Sequence, residues 1–248
     1  MRVVIVGATK GMGRSLARLM ARRGDSLVLL GRDSEELARS VVDLKTRRTE
    51  RVASTIESVV CDLSKPATFA PAIDEAAQHM DGLDTVVVTA GLFATQDALE
   101  ADTDLAYQLM MVNFAGTIAF CEHARKRLLA GNGGTLCVFS SVAGDRARKP
   151  VVLYGASKAG LSAYLEGLDH KFRSEGLVTV CVKPGFVKTG MTAGLKPPPF
   201  AGEPDEVAKQ VAKAIDRGTP VVYAPGMWRL VMMVIRMLPR FVMRRIGF

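Results

Sequence analysis

Tyr154 and Lys158 are the two side chains of this sequence best suited to moving a proton. They stand four residues apart, so on a helix the phenol and the ammonium face the same side. A free phenol titrates near pH 10, and a neighbouring positive charge stabilises its anion. The pair therefore predicts a general acid and base, although Tyr-x-x-x-Lys alone is common by chance and is more often a surface pair.

Two other polar residues give the pair its context. Ser141 ends an apolar run, and its hydroxyl can stabilise negative charge on a carbonyl oxygen. Ser140 faces the opposite way if the run is a strand, so Ser141 is the predicted contact. Asn113 lies in a helical pattern, where asparagine is a poor helix former. Either its amide holds a water that links Lys158 to solvent, or it is a satisfied buried polar group.

A glycine-rich turn follows the first apolar run. Residues 7–13, Gly-Ala-Thr-Lys-Gly-Met-Gly, come after a predicted strand and open a predicted helix. Glycines there allow a pyrophosphate to approach the backbone at the positive end of the helix dipole, whereas a plain strand-to-helix turn is the alternative. The predicted nucleotide contacts in this turn are Gly7, Thr9, Lys10, Gly11, Met12 and Gly13.

Arg32 and Asp33, at the end of the second apolar run, stand where a dinucleotide enzyme distinguishes NADPH from NADH. An acid at this point accepts hydrogen bonds from both ribose hydroxyls, whereas an arginine offers a planar fork to a 2′-phosphate. Arg32 and Lys10 together favour NADPH over NADH. A change of register by one residue would put Asp33 on the ribose, although Asp33 is also a good helix N-cap.

A parallel sheet is needed to bring these segments together. Val/Ile/Leu runs alternate with helical patterns, which is typical of βαβ units in an α/β doubly wound Rossmann fold with a seven-stranded parallel sheet. Strands are predicted near residues 2–6, 26–30, 55–61, 84–89, 134–140, 178–183 and 220–223. Helices are predicted near residues 12–23, 34–46, 66–79, 103–130, 154–175 and 204–217. A single domain over 1–226 is expected, followed by an amphipathic basic segment, 227–248.

The order of these motifs resembles the short-chain dehydrogenase/reductase family. Residues 89–91, Thr-Ala-Gly, are similar to its N-A-G element, and residues 184–189 are similar to its P-G-x-x-x-T element. The resemblance implies reduction of a ketone with NADPH, with Val187 and Thr189 holding the nicotinamide carboxamide. It places Asp62 on the adenine, although a helix cap before Pro66 is equally compatible. The remaining nucleotide contacts that it implies are Leu63, Ala90, Gly91, Tyr154, Lys158, Pro184 and Gly185.

Two segments resemble one subgroup, the decaprenylphosphoryl-2-keto-pentose reductases. They are residues 142–149, Val-Ala-Gly-Asp-Arg-Ala-Arg-Lys, and residues 223–233, Tyr-Ala-Pro-Gly-Met-Trp-Arg-Leu-Val-Met-Met. Those enzymes reduce a keto sugar on a polyprenyl phosphate, so the resemblance implies a lipid-linked or long-chain substrate. It also implies a homodimer or homotetramer formed through the helices near 103–130 and 154–175.

The end of the chain has the composition of an interfacial helix. The chain carries a formal net charge of +8, and the segment from Met227 onward holds five arginines and no acid. On a helix over 227–240, Arg229, Arg236 and Arg240 share one stripe, and Pro239 makes the place of Arg240 the least certain. Apolar residues lie between the arginines, which favours membrane lipid over nucleic acid. A subunit contact or a cover over the active site is the alternative.

Composition bears on metal binding, disulfide bonds and cellular location. The four cysteines and three histidines lack the spacing of a metal site or a disulfide framework, so no metal is expected. No signal-peptide layout is present, and the expected location is cytoplasmic, peripheral at the inner face of a membrane. Residues 192–204 are either a mobile lid or a plain surface connection.

Three functions remain open at this point. The first is an NADPH-dependent ketoreductase for lipid-linked or long-chain ketones, and the second is a soluble ketoreductase for acyl-thioester or small carbonyl substrates. The third is a non-catalytic NADPH-sensing protein. The complete set of Asn113, Ser141, Tyr154 and Lys158 favours an enzyme, because sensing gives no reason to retain all four.

Overall fold

The computed structural model describes residues 1–48 and 54–246 and contains one all-parallel sheet of seven strands. The strands are β1 (Arg2–Val6), β2 (Ser26–Gly31), β3 (Ile56–Val60), β4 (Thr85–Val88), β5 (Gly134–Phe139), β6 (Leu177–Pro184) and β7 (Val221–Ala224). Their order is β3-β2-β1-β4-β5-β6-β7, so the winding reverses between β1 and β4. The predicted doubly wound fold is confirmed, and its ligand crevice lies at the carboxyl ends of the strands.

Helices cover both faces of the sheet. The helices are α1 (Gly11–Arg23), α2 (Ser34–Arg47), α3 (Phe69–His79), α4 (Gln96–Ala101), α5 (Thr103–Met110), α6 (Thr117–Ala130), α7 (Val152–Phe172), α8 (Pro204–Arg217), α9 (Trp228–Met237) and α10 (Arg240–Arg245). Helices α1, α2 and α8 bury apolar residues on one face, and α3, α6 and α7 do so on the other. The central strands are apolar on both sides because both sides are covered.

The long helix predicted near 103–130 is divided. A π-helical turn at Met111–Gly116 separates α5 from α6, and α4 was not predicted. A Cβ on Gly116 would lie 1.9 Å from the carbonyl oxygen of Leu63, so only glycine allows this close approach. The wider turn contains Asn113, which is a poor helix former.

The predicted helix over 227–240 is two helices. Pro239 has no backbone N–H, and α9 ends at Met237 before α10 begins at Arg240. Arg240 therefore does not continue the stripe of Arg229 and Arg236, which corrects that prediction. Within the part of the chain that the structure describes, no helix is long and apolar enough to cross a bilayer.

Candidate active site

Two adjoining cavities lie at the carboxyl ends of the strands. The nucleotide cavity, of about 330 Å³, is lined by residues of the glycine-rich turn and by Arg32 and Asp62. The reaction cavity, of about 550 Å³, is lined by residues that include Tyr154 and Lys158. Both cavities share the lining residues Thr89, Gly91, Leu92 and Met191. The structure thus brings most of the predicted nucleotide and catalytic residues into one continuous crevice, whereas Asn113, Gly11 and Gly13 line neither cavity.

The glycine-rich turn is packed against the end of β4. Gly7 has a φ of 90°, and a Cβ there would lie 2.6 Å from the amide nitrogen of Ala90. A Cβ on Gly13 would lie 2.2 Å from the carbonyl oxygen of Gly7. The Thr89 hydroxyl lies 3.0 Å from the carbonyl oxygens of both Val6 and Gly7. Threonine is shorter than the asparagine of the N-A-G element, but it still holds the turn.

The N-terminus of α1 suits a phosphate group. Its N-cap residue, Lys10, makes no side-chain capping bond, and the first turn contains no acid. Backbone N–H groups at the start of a helix lack intrahelical partners and carry the positive end of the helix dipole. The turn therefore fits the pyrophosphate of a dinucleotide.

Asp33 is the N-cap of α2. One of its carboxylate oxygens accepts hydrogen bonds from the amides of Glu36, at 3.0 Å, and Glu35, at 3.1 Å. These bonds, that of Glu36 first, lower the pKa of the carboxyl group. Arg32 precedes it on the wall of the nucleotide cavity, which Lys10 also lines.

The Asp62 carboxyl group is held by Ser64. Its Oδ1 accepts hydrogen bonds from the amide of Ser64, at 2.9 Å, and from the Ser64 hydroxyl, at 2.8 Å. Partial burial acts to raise the pKa of Asp62, but these bonds and the charges of Lys65 and Arg32 outweigh it and lower the pKa. The carboxylate therefore caps Ser64 rather than the short helix at Pro66, whose N-cap is Lys65.

Lys158 is buried beneath the phenol of Tyr154. Its Nζ lies 5.8 Å from the centre of the tyrosine ring and donates to the carbonyl oxygen of Phe139 at 2.9 Å. Burial lowers the pKa of Lys158 to about 8. Burial also raises the pKa of Tyr154, while a hydrogen bond with Ser141 acts in the opposite direction.

The two serines at the end of β5 have different partners. The Ser140 hydroxyl donates to the carbonyl oxygen of Lys158 at 2.8 Å and lies 2.8 Å from the Ser162 hydroxyl, so it joins β5 to α7. Ser141 accepts from the amide of Ala143 at 3.1 Å and interacts with Tyr154. The geometry therefore supports Ser141 as the serine available to a ligand.

Asn113 is fully buried and holds the loop after β4. Its Oδ1 accepts from the amide of Leu92 at 2.6 Å, and its Nδ2 donates to the Leu92 carbonyl at 2.7 Å. A Cβ on Gly91 would lie 3.2 Å from Asn113 Oδ1 and 3.5 Å from Lys158 Nζ. The amide is thus satisfied and also lies close to the lysine, and its contact with a water remains a prediction.

The segment after β6 forms another wall of the reaction cavity. Pro184, Gly185, Val187 and Thr189 all line it. The Thr192 hydroxyl donates to the Val187 carbonyl at 2.7 Å, and the amide of Lys188 donates to the Gly202 carbonyl at 2.9 Å. Residues 192–204 are therefore bonded to this wall near both ends, while most of the residues between are exposed. A mobile lid and a surface connection both remain predictions.

Trp228 of α9 forms part of the wall of the reaction cavity. A Cβ on Gly185 would lie 2.1 Å from its indole nitrogen, which donates to the carbonyl oxygen of Phe200 at 3.2 Å. Val231 and Ile235 line the same cavity. The C-terminal segment from residue 227 onward, the tail, thus covers part of the crevice. This is the alternative that the sequence offered to a purely interfacial role. Trp228 was not predicted to belong to the site, although its apolar i, i+3, i+7 spacing with Val231 and Ile235 indicated one buried helix face.

A family model described as short chain dehydrogenase matches residues 1–199. The chain belongs to that family. A protein of Mycobacterium tuberculosis described as an uncharacterized oxidoreductase is 31% identical over 243 residues, which cover 98% of this chain and 96% of that protein. Carbonyl reductase family member 4 of Xenopus laevis is 26% identical over 215 residues, covering 84% and 87%.

Among solved structures, a short-chain type dehydrogenase/reductase from Mycobacterium ulcerans has the same fold. Its TM-score is 0.80 at 20% identity, and the match covers 89% of this chain and 86% of that one. The protein is accordingly an oxidoreductase that acts on CH–OH or C=O groups, within a family that generally uses NAD(P)(H).

Proposed function

We propose that this oxidoreductase uses NADPH to reduce a ketone on a hydrophobic, lipid-linked or long-chain molecule. The reaction cavity carries the proposal, because it joins Ser141, Tyr154 and Lys158 to apolar side chains of the covering helix α9. A cavity of this lining suits a largely apolar ligand oriented by a few polar groups. The resemblance of the tail to reductases of polyprenyl-linked keto sugars points in the same direction.

The polar residues divide the work of the reduction. The nicotinamide, when bound, supplies the hydride. Ser141 donates a hydrogen bond to the carbonyl oxygen as negative charge develops there, and the Tyr154 hydroxyl gives that oxygen a proton. The ammonium of Lys158, held by the Phe139 carbonyl, stabilises the phenolate that remains. Asn113 holds the backbone of Leu92, next to Gly91, which lies beside Lys158, and we propose a water at the Asn113 amide as the route for the returning proton.

NADPH is proposed over NADH on the charges of the nucleotide cavity. Arg32 and Lys10 are its cationic lining residues within the described part of the chain, and Asp33 uses its carboxylate to cap α2. A guanidinium fork suits a 2′-phosphate. The adenine contact proposed for Asp62 and Leu63, and the carboxamide contact proposed for Val187 and Thr189, complete the cofactor site.

Peripheral binding to a membrane is proposed for the outer side of the tail. Its exposed apolar residues are Met227, Leu230, Met233, Val234, Met237 and Phe241. Exposed arginines stand among them at Arg229, Arg236, Arg240, Arg244 and Arg245. This combination suits an anionic lipid surface. The proposed location is the cytoplasmic face of a membrane, with a homodimer or homotetramer formed through α5, α6 and α7.

The first experiment is oxidation of NADPH against NADH across small ketones, acyl thioesters and polyprenyl-phosphate keto sugars. Preference for NADPH with the lipid-linked ketones supports the proposal. Turnover of soluble ketones alone would favour the second candidate function. Cofactor binding without any turnover would favour a nucleotide sensor.

Matched variants test the mechanism. Tyr154→Phe should abolish turnover and leave NADPH affinity nearly unchanged. Ser141→Ala should lower kcat by about 100- to 1000-fold, in the range found for loss of an oxyanion donor. Ser140→Ala is the control, because that hydroxyl bonds to α7. Equal losses of kcat in the two serine variants would contradict the assignment of Ser141.

The test of membrane binding needs variants that leave the cavity-lining residues of α9 unchanged. Met233→Ser with Met237→Ser changes two exposed side chains of α9 and spares Trp228. The intact protein should pellet with anionic liposomes at low salt and less with neutral ones, and the double variant should stay in solution. An intact protein that ignores anionic liposomes would refute membrane binding.

A further inference from the structure

Arg148 places a half-buried positive charge on the wall of the reaction cavity. It lies in the loop between Ser141 and Tyr154, just before a short helical turn at Lys149–Val151. Its Nε atom is shut off from solvent and has no hydrogen-bond partner among the residues that the structure describes. Buried donors are paired in the great majority of cases, so an unpaired guanidinium N–H on a residue that lines a ligand cavity needs a reason.

Nothing on the cavity wall neutralises this charge. Within residues 1–48 and 54–246, the charged side chains lining the cavity are Arg148 and Lys158, and no carboxylate lines it. Asp145, three residues away, is engaged by Lys183 Nζ at 2.5 Å and by the Tyr223 hydroxyl at 2.7 Å. Burial lowers the pKa of Arg148 with no ion pair to oppose it, yet an arginine stays protonated in proteins.

The neighbouring arginine in the same loop shows a different arrangement. Arg146 donates to the backbone carbonyl of Leu238, at the end of α9. The loop can therefore satisfy an arginine with protein atoms. Arg148 is instead directed to the cavity that holds Tyr154 and Trp228.

We propose that Arg148 binds an anionic group of the substrate, a carboxylate or a phosphate, inside the reaction cavity. This inference rests on the proposed function of that cavity as the ketone site. Both anions present oxygen acceptors to the guanidinium fork, and the apolar walls take the rest of the molecule. Arg148 thus determines specificity, selecting ketones that combine an apolar body with one negative end.

The test compares matched ketones in matched variants at saturating NADPH. The ketones are a chain-length series of straight-chain methyl ketones ending in a carboxylate, a phosphate or an uncharged methyl group. The variants are Arg148→Met, Arg148→Lys and the control Lys149→Met, which removes an exposed neighbouring cation. Wild type should prefer an anionic ketone in kcat/KM by about 10- to 100-fold, as for a charge-assisted hydrogen bond. Arg148→Met should lose this preference, Arg148→Lys should keep part of it, and Lys149→Met should keep it.

A second measurement is independent of turnover. Trp228 is the sole tryptophan of the sequence and lines the cavity, so its fluorescence reports a ligand there. Fatty carboxylates, alkyl phosphates and matched fatty alcohols are titrated into the NADP⁺-bound protein. Tighter binding of the anions by wild type, lost in Arg148→Met, supports the inference even if no ketone is reduced. Which anion binds tighter distinguishes a carboxylate from a phosphate.

Other outcomes overturn the inference and separate it from the proposed function. Reduction of neutral and anionic ketones at equal kcat/KM would refute the role of Arg148 and leave the ketoreductase intact. An anion preference that survives in Arg148→Met would also refute the role of Arg148 without contradicting the ketoreductase. If Arg148→Met weakened NADPH binding and lowered kcat/KM by the same factor for every ketone, Arg148 would be a cofactor contact instead.

Discussion

Replacing Lys158 with methionine should stabilise the protein at neutral pH while it abolishes turnover. The Lys158 side chain is only 4% exposed, and burial lowers its pKa from 10.5 to about 8. That difference corresponds to roughly 3 kcal/mol of unfavourable free energy carried by the folded protein below pH 8. Methionine removes this cost but leaves the Phe139 carbonyl without its donor, a loss of about 1–3 kcal/mol. The expected net gain at pH 7 is about 1 kcal/mol.

The pH dependence distinguishes this cause from a change in packing. Between pH 8 and 10.5 the folded protein has released the Lys158 proton while the unfolded chain still binds it, so wild-type stability rises with pH relative to the variant. Above about pH 10.5 the advantage of the variant is gone, and the lost hydrogen bond leaves it the less stable of the two.

The assay is urea unfolding of wild type, Lys158→Met and Lys149→Met from pH 7 to 10.5. The free-energy difference between wild type and Lys158→Met should move toward wild type by roughly 3 kcal/mol across this range. Lys149 is exposed, so its variant should follow wild type at each pH. A difference between wild type and Lys158→Met that stays constant with pH would refute the reasoning.

Three other predictions concern single substitutions. Gly13→Ala should weaken NADPH binding and lower stability by about 1–3 kcal/mol, because its Cβ would meet the Gly7 carbonyl at 2.2 Å. Gly167→Ala in α7, with open space around the added methyl, should instead raise stability by up to about 1 kcal/mol, with both glycine variants measured by urea unfolding. Asp33→Ala should cost about 1 kcal/mol of stability, from lost capping, and a large change in the NADPH-to-NADH ratio of kcat/KM would show a ribose contact instead.

Local patterns of the sequence were sufficient to predict most of the fold. A buried parallel strand needs only a short apolar run, and the turn at residues 7–13 needs glycines at fixed positions, so both could be located without tertiary information. Helix α4 is only six residues long, too short to show a helical period, and it was missed. The π-helical turn depends on the approach of Gly116 to Leu63, a contact distant in sequence.

The site was predictable where chemistry fixes the spacing. Tyr154 and Lys158 are neighbours on one helix face, so four residues of sequence define their geometry. Arg148 and Trp228 were not assigned to the cavity, because their positions depend on a loop and on the docking of α9 against Gly185. The tail pattern showed that α9 is amphipathic, but not that its apolar residues occupy two opposite sides.

Helix α9 alone separates one side of the reaction cavity from the protein surface. Trp228 and Ile235 line the reaction cavity on its inner side, whereas Leu230 and Met233 are exposed on its outer side. Under the proposed function, a substrate bound at the inner side and a membrane bound at the outer side would therefore both act on the same ten residues. Binding free energies coupled through one element are reciprocal, so substrate would strengthen attachment by the factor by which attachment strengthens substrate binding. The fraction of enzyme at a surface would then report how much substrate that surface holds.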